Sequence, residues 1–373
     1  ELGLRQVYGG ETPALLSRAD RRRHLYAIGK TGTGKTTLLE RLLVQDITAG
    51  EGVALLDPHG DLAERLLDYI PRRRTDDLAY FNPADLAYPV GFNIVADVEP
   101  DLRHLAVSGA VSAFKALWAD SWGPRLEYIL GNALAALIET PGATLLSLPR
   151  LLTDDVYRVR VTSRLTDPVV RRFWLEEFGA YDKRFRTEAI APIQNKIGQF
   201  LMSPQVRNIF GQERQAIDFR RAMDRRQIVI ANLAKGNIGD DKSNLIGSLL
   251  VSQFELAAMS RSDVPEAARA DFCLYVDEFQ NFATTSFATI LSEARKYRLS
   301  LHLFHQFLDQ LAEPVRQAVF GNVGSMLAFR LGQRDAEVIA HEFDEEIEPR
   351  QLTELSPFML YARTLEAGEP SQA

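Results

Sequence analysis

The run Gly29-Lys30-Thr31-Gly32-Thr33-Gly34-Lys35-Thr36 carries the most specific chemistry in the 373 residues of this chain. It fits the pattern G-x-x-x-x-G-K-[ST], with an apolar stretch before it and an amphipathic one after it. Glycines in these places let backbone N–H groups close around phosphates, and the start of the following helix adds a favourable dipole. Lys35 is expected to reach the β- and γ-phosphates of ATP, and Thr36 to offer its hydroxyl to Mg2+. Gly29, Thr31, Gly32, Thr33, Gly34 and Thr37 complete the expected nucleotide contacts.

Leu274-Tyr275-Val276-Asp277-Glu278 is an apolar strand pattern that ends in two acids. Behind an upstream phosphate loop it reads as the metal-binding strand of an ATPase. Asp277 is expected to hold Mg2+ through its water shell, and Glu278 to orient and activate the attacking water. Gln306 follows the strand pattern Ser300–His305 and is placed to sense the γ-phosphate or position that water. Charge developing on the transferred phosphoryl group calls for a cation, and Arg295 and Arg330 are the candidates. Arg295 also has a plainer reading, because a base at a helix C-terminus complements the dipole.

Asp57-Pro58-His59-Gly60-Asp61 closes another strand, with Asp61 expected to cap the next helix and Glu64 three residues on. His59 has no second His or Cys at ligand spacing.

Short β-rich runs alternate with helical patterns, as in a parallel sheet wrapped by helices. Strands are expected at 24–28, 53–57, 78–81, 227–233, 272–276, 300–305, 324–331 and 358–364, and helices at 35–49, 61–70, 243–260 and 287–297. Between about Pro100 and Met223 apolar residues recur at helical spacing, Leu126, Ile129, Leu130, Ala133, Leu134 and Leu137 among them. The expected division is therefore a sheet domain over 1–99 and 224–373 with an all-helical insertion over 100–223. The polar tail after Glu366 is expected to fray.

Composition is that of an ordinary soluble domain, 46% hydrophobic and 25% charged. The single cysteine, Cys273, excludes a disulfide framework and lies in an apolar run. No stretch has the length a membrane span needs. The chain begins at Glu1 rather than Met, as a segment cut from a longer protein does, and an upstream membrane anchor is compatible with this. The net charge of −7 excludes coating of nucleic acid by the whole surface, but residues 97–222 are slightly basic. Two stretches are DNA candidates. Lys235-Gly236-Asn237 is expected to form a basic loop. Residues 158–186 interleave basic side chains with Phe173, Trp174, Phe178, Tyr181 and Phe185, which fits either single-strand stacking or an amphipathic helix pair.

Taken together, the segments Ile28–Leu39, Leu55–Asp61, Tyr275–Phe279, Ala294–Tyr297 and His305–Gln306 resemble the FtsK/HerA superfamily in order and spacing. Within it the chain resembles the conjugative coupling proteins of type IV secretion, over Arg21 to about Arg363. The resemblance implies a RecA-like α/β ATPase sheet with an inserted helical domain. It also implies a homohexamer with ATP at each interface, DNA (single-stranded for a coupling protein) in the pore, and Arg295 acting in trans. Implied partners are a relaxase–DNA complex and type IV secretion channel proteins. The implied location is the cytoplasm, at the inner-membrane face for a full-length anchored relative. Two other functions stay open: a HerA-like double-strand translocase in repair or defence, and a nucleotide-dependent module that recruits proteins to a secretion channel.

Overall fold

Apolar runs that are continuous rather than alternating form strands covered on both faces. The computed structural model describes residues 1–7, 10–284, 286–343, 346–366 and 369–371. Its strands are β1 (Gly3–Val7), β2 (Gly10–Ala14), β3 (Leu25–Ile28), β4 (Gly52–Asp57), β5 (Leu78–Phe81), β6 (Ile228–Asn232), β7 (Phe272–Val276), β8 (Leu299–His305), β9 (Ser325–Ala328), β10 (Tyr361–Glu366) and β11 (Glu369–Ser371). β3, β4, β6, β7, β8 and β9 are buried along their whole length.

The main sheet runs β11-β10-β9-β3-β8-β7-β4-β6-β5. From β9 to β6 every pairing is parallel. β10 joins β9 antiparallel and β11 joins β10 the same way, so part of the tail expected to fray is paired. Residues 367, 368, 372 and 373 of that tail lie outside the described residues. A separate hairpin, β1 with β2, was not among the expected strands.

The chain divides into two compact units. The first comprises Glu1–Tyr80, Arg220–Leu233 and Ala257–Ala373 and holds the sheet. Its core joins Leu38, Leu39, Leu42, Leu43 and Ile47 of the helix Lys35–Ala49 to β3, β4, β6 and β7. Gly50, at φ 84, ends that helix in the left-handed conformation that favours glycine. Arg74 donates to the carbonyls of Ile47 and Glu51, satisfying the helix end and the turn that leads into β4.

The second unit comprises Phe81–Phe219 and Ala234–Leu256. It is helical, with Arg103–Leu117, Pro124–Ile138 and Lys183–Leu201 its long members before residue 219. The helix Asp240–Ser260, which the sequence reading assigned to the sheet domain, belongs mostly to this unit. One open alternative closes here and one expectation changes. Phe173, Trp174 and Phe178 are core residues, each no more than 2% exposed, and the Trp174 indole N–H donates to the Asn132 carbonyl. Their faces are used on one another, so they offer no stacking surface to nucleic acid. Lys235–Ile238 forms a short helix rather than a loop. Among the described residues no helix is long and apolar enough to cross a membrane.

His302 on β8 illustrates the cost of a wholly buried sheet. Its ring sits edge-to-face with Tyr275, centroids 4.5 Å apart, and neither nitrogen has a hydrogen-bond partner among the described residues. Burial, with the charges of Arg21 and His24 adding to it, holds the imidazole well below its ordinary range. The unfolded chain therefore takes up this proton near pH 6.5 and the folded one only far lower, so stability is lost as pH falls below 6.5. His302→Phe should remove that contribution. Relative to wild type, the variant should gain about 2 kcal/mol between pH 7.5 and pH 5, measured by urea denaturation at both. An unchanged difference would mean that this imidazole titrates normally.

Candidate active site

Because the central strands are parallel, their C-terminal ends share one edge of the sheet, where the irregular segments that follow them converge. Ile28 is level with His305, Val276 with Leu303 and Asp57 with Asn232. One strand, β8, separates the strand that leads into the phosphate loop from the strand that ends in Asp277 and Glu278. Gln306 at the end of β8 thus lies between the two motifs.

The phosphate loop is held from behind. Gly29 N–H donates to the His305 carbonyl at 3.2 Å and Lys30 N–H to the Arg330 carbonyl at 3.0 Å. Gly32 and Gly34 are left-handed, at φ 77 and 115. A Cβ on Gly29 would come within 2.5 Å of Phe329 Cβ, so this position admits glycine alone. The Thr33 hydroxyl donates to the Lys30 carbonyl at 2.7 Å. Thr36 and Thr37, at the start of the helix, are exposed.

Lys35 is buried, and its ammonium donates back to the carbonyls of Gly29 and Lys30. Burial lowers its pKa, and the nearby Asp277 and Glu278 carboxylates oppose that shift. Asp277 is 5% exposed. Burial first, then Glu278 and Asp57, push its carboxyl up to about 7. A cation delivered to this edge would therefore favour the ionised form.

Glu278 follows in left-handed backbone, φ 46, which turns its carboxylate toward the loop. One oxygen accepts from the Gln306 amide and the other from Gln280 Nε2 at 2.8 Å. The Gln306 amide oxygen in turn accepts from the Thr31 hydroxyl at 3.1 Å. Gln306 thus links the phosphate loop to the acid. Gln280 is a member of this site that sequence reasoning missed; its only signal was an amide two residues beyond Glu278.

Asp61 does not cap its helix. Gly60 stands at the N-cap with φ 89, and the Asp57 carboxylate takes the N–H groups of Ala63 and His59, both at 2.9 Å. Two backbone donors are better served by the carboxylate that ends β4 than by one already inside the first turn.

Arg295 lies exposed on the turn Ala294–Tyr297, its charge felt by His24. Arg330 is half-buried after β9, with its carbonyl on the phosphate loop. Neither guanidinium bonds to Lys35, Asp277, Glu278 or Gln306 among the described residues.

The arrangement fits a Mg2+ nucleoside triphosphate. Its cradle excludes side chains at Gly29 and Gly34, its lysine rests on carbonyls it can exchange for phosphate oxygens, and a buried carboxylate stands at the metal position.

Comparison with known proteins bears on this site. A family model described as the central domain of the helicase HerA matches residues 6–254. No curated protein matches the chain. Among solved structures, the bacterial conjugative coupling protein TrwBdeltaN70 aligns over 99% of this chain and 88% of its own, at 16% identity and a TM-score of 0.65. The plasmid coupling protein TrwB in complex with ADP and Mg2+ gives the same coverage at 17% identity and a TM-score of 0.67. VirB4 of Thermoanaerobacter pseudethanolicus aligns over 92% of this chain and 89% of its own, at 14% identity and 0.55. These likenesses establish the fold.

Proposed function

The chain belongs to the family of the HerA helicase central domain, a family of P-loop ATPases, and on that premise we propose that it is a motor that hydrolyses ATP to move DNA during conjugative transfer. The observation that supports turnover most directly is the Gln306 bridge. A protein that only binds nucleotide has no need of a carboxylate held by two amides beside its phosphate loop. In this reading the loop N–H groups from Gly32 to Thr36 take the phosphates, and Lys35 moves from the Gly29 and Lys30 carbonyls to the β- and γ-oxygens. Glu278 orients the attacking water and accepts its proton, while Gln306 fixes that carboxylate relative to the loop. Mg2+, held by Thr36 and Asp277, would neutralise charge on the phosphate oxygens. Arg295 completes the site from a neighbouring subunit of a hexameric ring, with DNA in its pore.

The resemblance to coupling proteins, whose fold this chain shares, implies single-stranded DNA delivered with a relaxase to a type IV secretion channel. The family match to HerA supports a second reading, a double-strand translocase. Hydrolysis rates measured with single-stranded and with double-stranded DNA separate the two. The coupling reading expects the larger stimulation from single strands, and the HerA-like reading from duplex. A rate indifferent to both forms would instead favour the protein-recruiting module.

A further inference from the structure

Building on the nucleotide-binding reading above, we propose that Phe358 is the stacking platform for the base of the bound nucleotide. The turn before β10 is fastened to the phosphate loop. Phe358 N–H donates to the Thr33 carbonyl at 2.8 Å. A Cβ on Gly34 would come within 2.9 Å of Phe358 Cδ1, so the ring edge lies against the residue that begins the phosphate-loop helix. Gly34 and the helix N-terminus fix where the phosphates sit. The remainder of a nucleotide must then lie within its own short length of this ring.

Two features of Phe358 are unexplained by folding alone. Its backbone is left-handed, at φ 65, a conformation that a residue with a Cβ adopts at a cost and glycine adopts freely. The residue is 68% exposed, so the fold recovers little from burying the ring. Strained backbone that carries an exposed aromatic beside a ligand loop points to a function for the ring. Met359, next in the chain, is 49% exposed. A nucleobase is the occupant that this surface and the adjoining phosphate cradle suit together, because every base has a π-face. A phenyl ring offers no hydrogen bond, so the platform should not distinguish adenine from guanine.

Calorimetric titration of the intact chain with Mg2+-ATP and with Mg2+-tripolyphosphate tests this. Tripolyphosphate presents the phosphates without a base. Phe358→Ala should bind ATP about 10-fold more weakly and tripolyphosphate as wild type does. Phe358→Trp should restore ATP affinity. Phe358→Gly should lose ATP affinity as alanine does, yet melt no lower than wild type because the backbone strain is relieved. Unchanged ATP affinity in Phe358→Ala would overturn the stacking role while leaving the nucleotide site intact. An equal loss for both ligands would make the residue a support for the loop and overturn it equally. Wild-type protein that binds neither ligand would overturn the nucleotide site itself.

Discussion

Glu278→Gln is expected to lower ATP turnover by about 10²- to 10⁴-fold while nucleotide binding survives, the range associated with loss of a positioned general base. The substitution removes the charge while keeping the side chain's shape, and it gives up one of the two accepting oxygens, the one that takes Gln280 Nε2. The amide oxygen of glutamine can still accept from the Gln306 amide, so the bridge to Thr31 has a route to persist. Lost is the capacity to take a proton from water. The variant also removes one of the charges that raise the Asp277 carboxyl, so Asp277 should ionise more readily and metal binding should not weaken. Steady-state hydrolysis and nucleotide titration on the same preparation check both halves. Turnover within 10-fold of wild type would remove Glu278 from the catalytic role.

The second large effect concerns Arg295, where the expected loss is about 10³-fold or more, the scale of an arginine that stabilises charge on a transferring phosphoryl group. Among the described residues it makes no bond to Lys35, Asp277, Glu278 or Gln306, and its exposure would leave the guanidinium available to a neighbouring copy. Arg295→Ala should therefore bind ATP normally and fail to hydrolyse it. Lys35→Ala should fail in its own phosphate loop. Mixed rings of the two would contain interfaces that pair an intact loop with an intact arginine, and activity should partly return. No recovery on mixing would place the cation in cis, where Arg330, already tied to the loop through its carbonyl, is the alternative. Arg330→Ala would then show the loss.

What could be read from the sequence follows the range of the interactions involved. The strand β7 announces itself as five consecutive apolar residues, and the loop after β3 by glycines at fixed spacing; both signals are local. The strand end at Gln306 was legible from the apolar run before it, whereas its position between β3 and β7 is set by pairing with distant strands. Contacts between distant segments were not legible. Nothing near Asp57 says that its carboxylate serves Ala63, and Asp61 carried the stronger local capping signature. Phe358 lies more than 300 residues from Gly34, and Ser356-Pro357-Phe358 matches no phosphate-binding pattern. The stretch 158–186 stayed open between two readings for a related reason. Basic and aromatic residues at helical spacing look alike whether the aromatics face solvent or one another, and here burial of Trp174 and Phe178 decides it.

The most direct test of the motor is the Mg2+-dependent hydrolysis rate of the assembled wild-type protein, measured with and without DNA and with Lys35→Ala as the blank. An ATP-driven DNA motor predicts a rate that rises when DNA is added and vanishes in the blank. A wild-type rate that stays the same with DNA present, in verified hexamers, would contradict it.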